Sequence, residues 1–158
     1  MRSTGSRDLF KAGLAGTRTV VEAPKPLPRV LFVCLGNVCR SQMAETFGHS
    51  LGKGVFEASS AGLTPGVMMD PVTRQVMAEK GLSMETQFPK SISVAATQDA
   101  DLVVNMSGYP LPPGIKWERL EWKVPDPHTL PIEVHREVRD LLERLVMQLV
   151  LEFRTKRR

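Results

Sequence analysis

Several residue types that mark particular protein classes are scarce in this chain. Only two cysteines, Cys34 and Cys39, occur among its 158 residues, which excludes a small secreted domain held together by a disulfide framework. No apolar run approaches the roughly 20 residues of a membrane span. The first 22 residues also lack the compact apolar core of a signal peptide. We therefore expect a cytoplasmic protein that does not contact a membrane.

Basic residues are in the minority in the middle of the chain, although the whole chain has a formal net charge of +4. Residues 1–28 hold five Lys or Arg against two Asp or Glu, and residues 154–158 hold four Lys or Arg. Residues 29–153 hold 12 basic and 15 acidic residues, a net charge of −3. A basic surface that binds nucleic acid is therefore not expected.

The chain divides into three parts by composition. Three prolines within residues 23–28 favour an extended linker, so we expect residues 1–28 to be a disordered, basic and proline-rich extension. Residues 29–153 have the apolar patterning of one folded domain, and residues 154–158 are interpreted as a basic tail.

Short apolar runs alternate with stretches of helical periodicity after residue 29. The runs that predict strands are residues 30–33, 55–60, 102–106 and 116–122, the last near a sheet edge. The stretches that predict helices are residues 41–51, 70–81, 93–98 and 132–153. This alternation predicts an α/β fold, a three-layer sandwich in which a four-stranded, mainly parallel, twisted sheet has helices on both faces.

The loop after the first strand has the composition of an oxyanion-binding site. Its residues are Cys34, Leu35, Gly36, Asn37, Val38, Cys39, Arg40 and Ser41. Ligands of open α/β sheets bind at the carboxyl ends of strands, where a helix N-terminus presents free N–H groups. Gly36 and Asn37 tolerate left-handed backbone conformations, and the fork of Arg40 suits two oxygens of a tetrahedral oxyanion. The positive field favours a Cys34 thiolate, which is suited to nucleophilic phosphoryl transfer.

This loop resembles the signature of the low-molecular-weight protein-tyrosine phosphatases, whose fold is shared by arsenate reductases. The resemblance rests on Cys-x5-Arg-Ser with the interior Leu-Gly-Asn-Val-Cys, and it extends over residues 29–153. It includes residues 59–62, Asp70-Pro71 before a helix that ends near Gly81, and Asp126 within residues 124–127. The resemblance implies a hydrolase that acts on a phosphorylated protein or a small phosphomonoester through a cysteinyl-phosphate intermediate.

The resemblance also implies the catalytic residues. Cys34 is the nucleophile and Arg40 binds the phosphoryl oxygens. Asp126 protonates the leaving oxygen and then activates water, which requires a carboxylic acid held partly away from water.

Four further residues are expected to support these catalytic residues. Asn37 and Ser60 resemble the pair whose hydrogen bond holds the loop. Ser41 is suited both to donate a hydrogen bond to Cys34 and to cap the helix. Cys39 is implied to form a reversible disulfide with Cys34, whereas its residue type alone also fits a small buried apolar position.

Two differences from phosphotyrosine phosphatases leave alternatives open. His128 follows Asp126-Pro127, and residues 63–69 contain no aromatic residue, so the rings that would flank a phenyl group are absent there. The pocket wall is instead expected to be built from Leu63, Val67, Met68 and Met69.

The first alternative is an arsenate reductase. Residues 41–45 and Trp122 resemble the arsenate-reductase branch of the fold, but the chain has no third cysteine for an internal thiol relay. Arsenate reduction would therefore need an external thiol donor. The second alternative is a non-catalytic module that binds oxyanions. No cofactor is expected, and the spacing of the cysteines and histidines predicts no metal site.

Overall fold

Seven regular elements make up the fold in a computed structural model, which describes residues 16–93, 99–114 and 118–157. They are β1 (Arg29–Cys34), α1 (Arg40–Leu51), β2 (Glu57–Gly62), α2 (Pro71–Ala78), β3 (Leu102–Asn105), β4 (Glu118–Glu121) and α3 (Ile132–Lys156). The first 15 residues of the predicted extension and most of the helix predicted over residues 93–98 lie outside the described residues.

The four strands form one sheet in the order β2-β1-β3-β4, and every neighbouring pair is parallel. β1 lies in the interior of the sheet, and its residues after Arg29 are all buried, as the apolar run Val-Leu-Phe-Val requires. β4 is the edge strand that its mixed charged and apolar sequence predicts, and it is mostly exposed. The predicted parallel α/β sheet is therefore confirmed.

Separate apolar clusters cover the two faces of the sheet. Val30 and Phe32 of β1 pack in the larger cluster, which includes residues of all three described helices: Met43, Phe47, Met77, Val138, Leu142 and Val146. Leu31 and Val33 point to the other face, where they pack with residues of β2, of β3 and of flanking segments: Ala61, Ala100, Val103, Leu111, Leu63 and Ile92. Ile92 of this second cluster directly precedes the helix predicted over residues 93–98.

The ends of α2 follow from local sequence. Asp70 is the N-cap, and its side chain accepts hydrogen bonds from the Val72 and Thr73 amides at 2.9 and 3.4 Å. Pro71 occupies the first helical position, where a missing N–H has no cost. Gly81 follows the helix with a φ of 73°, a left-handed conformation that glycine adopts without steric penalty.

Several boundaries differ from those predicted, and α2, for example, ends at Ala78 rather than near residue 81. β2 begins at Glu57 rather than at residue 55, because the amides of Val55 and Phe56 both donate to the Gly52 carbonyl in the preceding turn. β4 ends at Glu121, one residue before the predicted end, and residues 116–117 of the predicted strand lie outside the described residues. α3 continues to Lys156, so part of the predicted basic tail is helical. Among the described residues, no helix has both the length and the apolar character needed to cross a membrane.

Candidate active site

The backbone of the loop between β1 and α1 is wound around the sulfur of Cys34. The loop carbonyls accept hydrogen bonds from amides outside the loop. The carbonyls of Cys34, Leu35 and Gly36 accept from the amides of residues 63, 64 and 66, in that order. The carbonyls of Val38 and Cys39 accept from the amides of residues 70 and 43. Because C=O and N–H point in opposite directions in a trans peptide, the N–H groups between them face the loop interior. Such an arrangement of amides binds anions.

Only one of the two residues expected to favour a left-handed conformation adopts it. Asn37 has a φ of 53°, whereas Gly36 is not in the left-handed region. The neighbouring Gly62 is needed for another reason. A Cβ atom built there would lie 2.9 Å from both the Asn37 Cβ and the Leu35 carbonyl oxygen, so only glycine lets β2 approach the loop this closely.

The Cys34 sulfur has two hydrogen-bond partners. Its Sγ lies 2.9 Å from the Ser41 Oγ, and the Asn37 amide donates to it at 3.3 Å. The Ser41 Oγ accepts from the Asn37 Nδ2 at 2.7 Å, which directs the Ser41 proton toward the sulfur. The expected capping role of Ser41 is wrong, because the N-cap position belongs to Cys39 and Ser41 lies inside the first turn of α1.

Asn37 connects the loop to the rest of the domain. Its Nδ2 also donates to the Ser60 Oγ at 3.0 Å, the pairing that the sequence resemblance implies. Its Oδ1 accepts from the Gln42 Nε2 and from the Lys90 amide, both at 2.8 Å. Neither of the last two contacts is among those predicted from the sequence. Gln42 follows the motif directly and could have been considered, but a backbone amide 53 positions away carries no sequence signal.

Arg40 is almost fully buried, with 6% of its surface exposed. Its Nη1 donates to the carbonyls of Met106 and Val124 at 2.6 and 3.2 Å, which fixes the plane of the guanidinium. Its Nη2 lies 3.3 Å from the Asp126 Oδ2. Its Nε is buried and has no hydrogen-bond partner among the described residues, so one donor of the fork is left for a ligand.

Asp126 reaches the loop from the segment before α3. Its Oδ1 accepts a hydrogen bond from the His128 amide at 3.1 Å, while its Oδ2 faces Arg40. The side chain is 47% exposed, so this carboxyl is half-buried at the rim of the loop. The His128 Nδ1 lies 2.9 Å from the Asp70 Oδ2 and thereby ties the Asp126 segment to the start of α2.

Cys39 and Asp70 form a buried pair behind the loop, with the Cys39 Sγ 3.5 Å from the Asp70 Oδ2. Burial raises the pKa of the Cys39 thiol, a hydrogen bond from Thr73 lowers it in part, and the Asp70 charge raises it further. Burial alone would raise the pKa of Asp70, but hydrogen bonds from His128 and the Val72 amide hold it below its ordinary value. Both cysteines are free thiols, and the implied disulfide with Cys34 stays a prediction.

One cavity of about 460 Å³ brings Cys34, Arg40 and Asp126 together. Its other lining residues are Leu35, Gly36, Val38, Cys39, Thr64, Gly66, Val67, Met68 and His128. Of the four residues expected in the wall, Val67 and Met68 are present. The expectation is wrong for Leu63, which packs on the second face of the sheet, and for Met69, which is in the main core.

A larger cavity of about 690 Å³ lies between residues 26–29, β4 and the end of α3, and it holds none of the catalytic set.

Comparison with known proteins relates this geometry to a family. Residues 29–110 match the family described as low molecular weight phosphotyrosine protein phosphatase. The chain is 34% identical over 130 residues to a glutaredoxin arsenate reductase of Synechocystis sp., an alignment that covers 78% of this chain and 97% of that protein.

Solved structures agree with this match. A structure described as an arsenate reductase in the phosphate binding state superposes with a TM-score of 0.75 at 32% identity, covering 80% of this chain and 99% of that one. The YwlE arginine phosphatase from Geobacillus stearothermophilus superposes with a TM-score of 0.73 at 26% identity, covering 82% of this chain and 94% of that one. With its cysteine-containing phosphate-binding loop on a parallel α/β sheet, the chain is an enzyme of the low molecular weight phosphotyrosine protein phosphatase family.

Proposed function

We propose that the protein is a phosphomonoester hydrolase that works through a cysteinyl-phosphate intermediate on Cys34. The observation that carries the proposal is that Cys34, Arg40 and Asp126 line one cavity, with the Arg40 Nε buried and without a hydrogen-bond partner among the described residues. A buried donor without a partner loses the free energy of a hydrogen bond until an acceptor arrives. A phosphoryl group above the Cys34 sulfur would supply that acceptor.

In the first chemical step, the Cys34 thiolate attacks phosphorus. The S–P bond forms, the bond from phosphorus to the leaving oxygen breaks, and Asp126 gives its proton to that oxygen. The inward-facing loop amides and Arg40 hold the equatorial oxygens, whose charge is greatest in the transition state. The Ser41 hydroxyl, directed at the sulfur by Asn37, stabilises the thiolate before attack and as it leaves.

In the second step, water attacks phosphorus and the S–P bond breaks. Asp126 takes the proton from that water, and the half-exposed position of its carboxyl gives water direct access. The hydrogen bond from the His128 amide keeps the carboxyl over the cavity once phosphate competes for Arg40. His128 thus acts as a positioning residue for Asp126, through its link to Asp70.

The described cavity lining favours a substrate without an aryl requirement. Val67 is fully exposed and Met68 is 68% exposed at the rim, and no aromatic side chain is among the described lining residues. Ring stacking therefore contributes little to binding, and alkyl and aryl phosphomonoesters should have similar KM values. Aryl esters should still react faster where leaving-group departure limits the rate.

The test measures turnover of p-nitrophenyl phosphate by the wild type and by Cys34→Ser, with Cys39→Ser as the matched control. We expect Cys34→Ser to fall to the uncatalysed rate, because it lacks the thiolate, and Cys39→Ser to retain activity within about tenfold. Asp126→Asn should lower kcat by roughly 10²–10⁴-fold for an alkyl ester and by less for p-nitrophenyl phosphate. Wild-type turnover no better than that of Cys34→Ser would overturn the proposal, and phosphate binding without turnover would favour an oxyanion-binding module instead.

A second candidate function is arsenate reduction by an external thiol, and the similarity to two arsenate reductases favours it. The Cys34 thiolate would attack arsenate to form an S–As bond while one As–O bond breaks and its oxygen leaves as water after protonation, and an external thiolate would then attack the Cys34 sulfur. The electron pair of the S–As bond would pass to arsenic and release arsenite, and a second thiol would reduce the mixed disulfide. Arsenite formation with glutathione and glutaredoxin would support this candidate, whereas no arsenite with any thiol donor would remove it.

A further inference from the structure

A second cluster of reactive side chains includes Cys39, from the end of the phosphate-binding loop. The Cys39 sulfur, an Asp70 carboxylate oxygen and a His135 ring nitrogen lie within 4.8 Å of one another, and all three residues are buried. They come from the end of the loop, the N-cap of α2 and the first turn of α3. We propose that these three side chains form a zinc-binding site, which does not depend on the hydrolase reaction.

The donor atoms and their spacing suit zinc. Thiolate sulfur, imidazole nitrogen and carboxylate oxygen are its usual protein ligands, and a site with three of them leaves a fourth position for water. In a tetrahedral site with ordinary bond lengths, the ligand atoms are roughly 3.3–3.6 Å apart. The Cys39 Sγ and the Asp70 Oδ2 already have this separation, at 3.5 Å. Closing the remaining separations requires a movement of roughly 1 Å by the imidazole.

His135 supplies an independent observation. It is 1% exposed, its Nδ1 lies 3.1 Å from the Thr73 Oγ1, and its Nε2 is buried without a hydrogen-bond partner among the described residues. Buried ring nitrogens are normally paired, so this imidazole keeps one ring nitrogen that no described residue occupies. A histidine that binds zinc needs one unprotonated ring nitrogen and usually donates its other N–H to a neighbouring oxygen. Thr73 provides such an oxygen.

The surroundings of Asp70 and the charge balance of the cluster also fit a zinc site. The Asp70 Oδ1 is held by the Val72 and Thr73 amides, and the His128 Nδ1 contacts its Oδ2, so the carboxylate has the outer-shell hydrogen bonds of a metal ligand. Zinc binding would break the Cys39 S–H bond, release that proton to solvent and form the Zn–S bond. The two charges of zinc would then balance one thiolate and one carboxylate, leaving no net charge in the buried site.

The test titrates Zn²⁺ into the reduced, full-length protein in competition with a chromophoric chelator. We expect one zinc per chain in the wild type, and an affinity at least about 100-fold lower in Cys39→Ser, since losing a direct ligand should cost more than losing an outer-shell partner. Asp70→Asn and His135→Gln should lose at least about tenfold. The matched controls are Cys34→Ser for the thiol and His49→Gln for the imidazole, and both should bind zinc like the wild type.

Cobalt substitution gives a readout that does not require the ligand variants to fold. Since the chain has only two cysteines, a thiolate-to-Co²⁺ charge-transfer band that persists in Cys34→Ser comes from Cys39. The band together with the tetrahedral pattern of d–d bands is the expected result. No zinc binding by the wild type would overturn the site. So would loss of zinc or of the cobalt band in Cys34→Ser, because the metal would then lie on the cysteine in the phosphate cavity.

Discussion

Replacing Asn37 by alanine should weaken the domain strongly and disable the phosphate-binding loop. The side chain is fully buried and makes four hydrogen bonds, to Ser41, Ser60, Gln42 and the Lys90 amide. At about 1 kcal/mol each, their loss costs about 4 kcal/mol. An alanine held at the left-handed φ of this position costs about 1 kcal/mol more. We expect urea denaturation to show a free energy of unfolding lower by about 3–5 kcal/mol, after partial relaxation.

A glycine at the same position separates the two contributions. Asn37→Gly loses the same four hydrogen bonds but adopts a φ of 53° without steric cost, so it should be about 1 kcal/mol more stable than Asn37→Ala. Both variants should bind inorganic phosphate at least about tenfold more weakly in calorimetry and lose p-nitrophenyl phosphate turnover, because Ser41 no longer directs its proton at Cys34. A loss below about 1 kcal/mol for Asn37→Ala, or equal stability of the two variants, would refute this account of the loop.

Four other substitutions test three separate parts of the structure. Gly62→Ala places a Cβ 2.9 Å from the Asn37 Cβ and should abolish phosphate binding, whereas Gly36→Ala, whose Cβ has only ordinary contacts beginning at 3.6 Å, should bind within about tenfold of the wild type. Arg40→Lys should lower kcat/KM by roughly 10²–10³-fold in a phosphatase assay, because a lysine cannot hold two carbonyls and a phosphoryl group with one planar fork. Leu142→Ala, in the core between α3 and the sheet, should lower the free energy of unfolding by about 2–5 kcal/mol in urea denaturation without changing KM.

The interior of the sheet is predictable from sequence because β1 and β3 are short apolar runs with no polar face. Such apolar runs are typical of strands that are buried on both faces. Glycine and proline residues mark the ends of the elements, so the helices can be placed between the strands. β2 is harder to delimit. Its sequence Glu-Ala-Ser-Ser-Ala-Gly has little apolar character, and its start is set by a turn at Gly52 rather than by its own residues.

The site likewise has a part that the sequence predicts and a part that it does not. Residues 34–41 are contiguous, so their roles can be inferred from their order and from the chemistry of an oxyanion. The carbonyls that fix Arg40 belong to Met106 and Val124, and any residue carries such an acceptor, so nothing in the sequence distinguishes them. The contact between His128 and Asp70 joins two loops 58 positions apart, and it exists only because both loops lie at the same end of the sheet.

The interior position of β1 determines when the active site can be completed during synthesis. Val30 of β1 pairs with Leu102 of β3, 72 residues later, and Arg40 donates to the Val124 carbonyl, 84 residues later. Contacts this distant in sequence form late in folding, because a long stretch of chain must close first. A nascent chain that ends before residue 124 therefore carries Cys34 without the Val124 anchor of Arg40 and without Asp126, the proposed general acid. Prematurely terminated chains should accordingly be inactive, which couples catalytic competence to completion of the polypeptide.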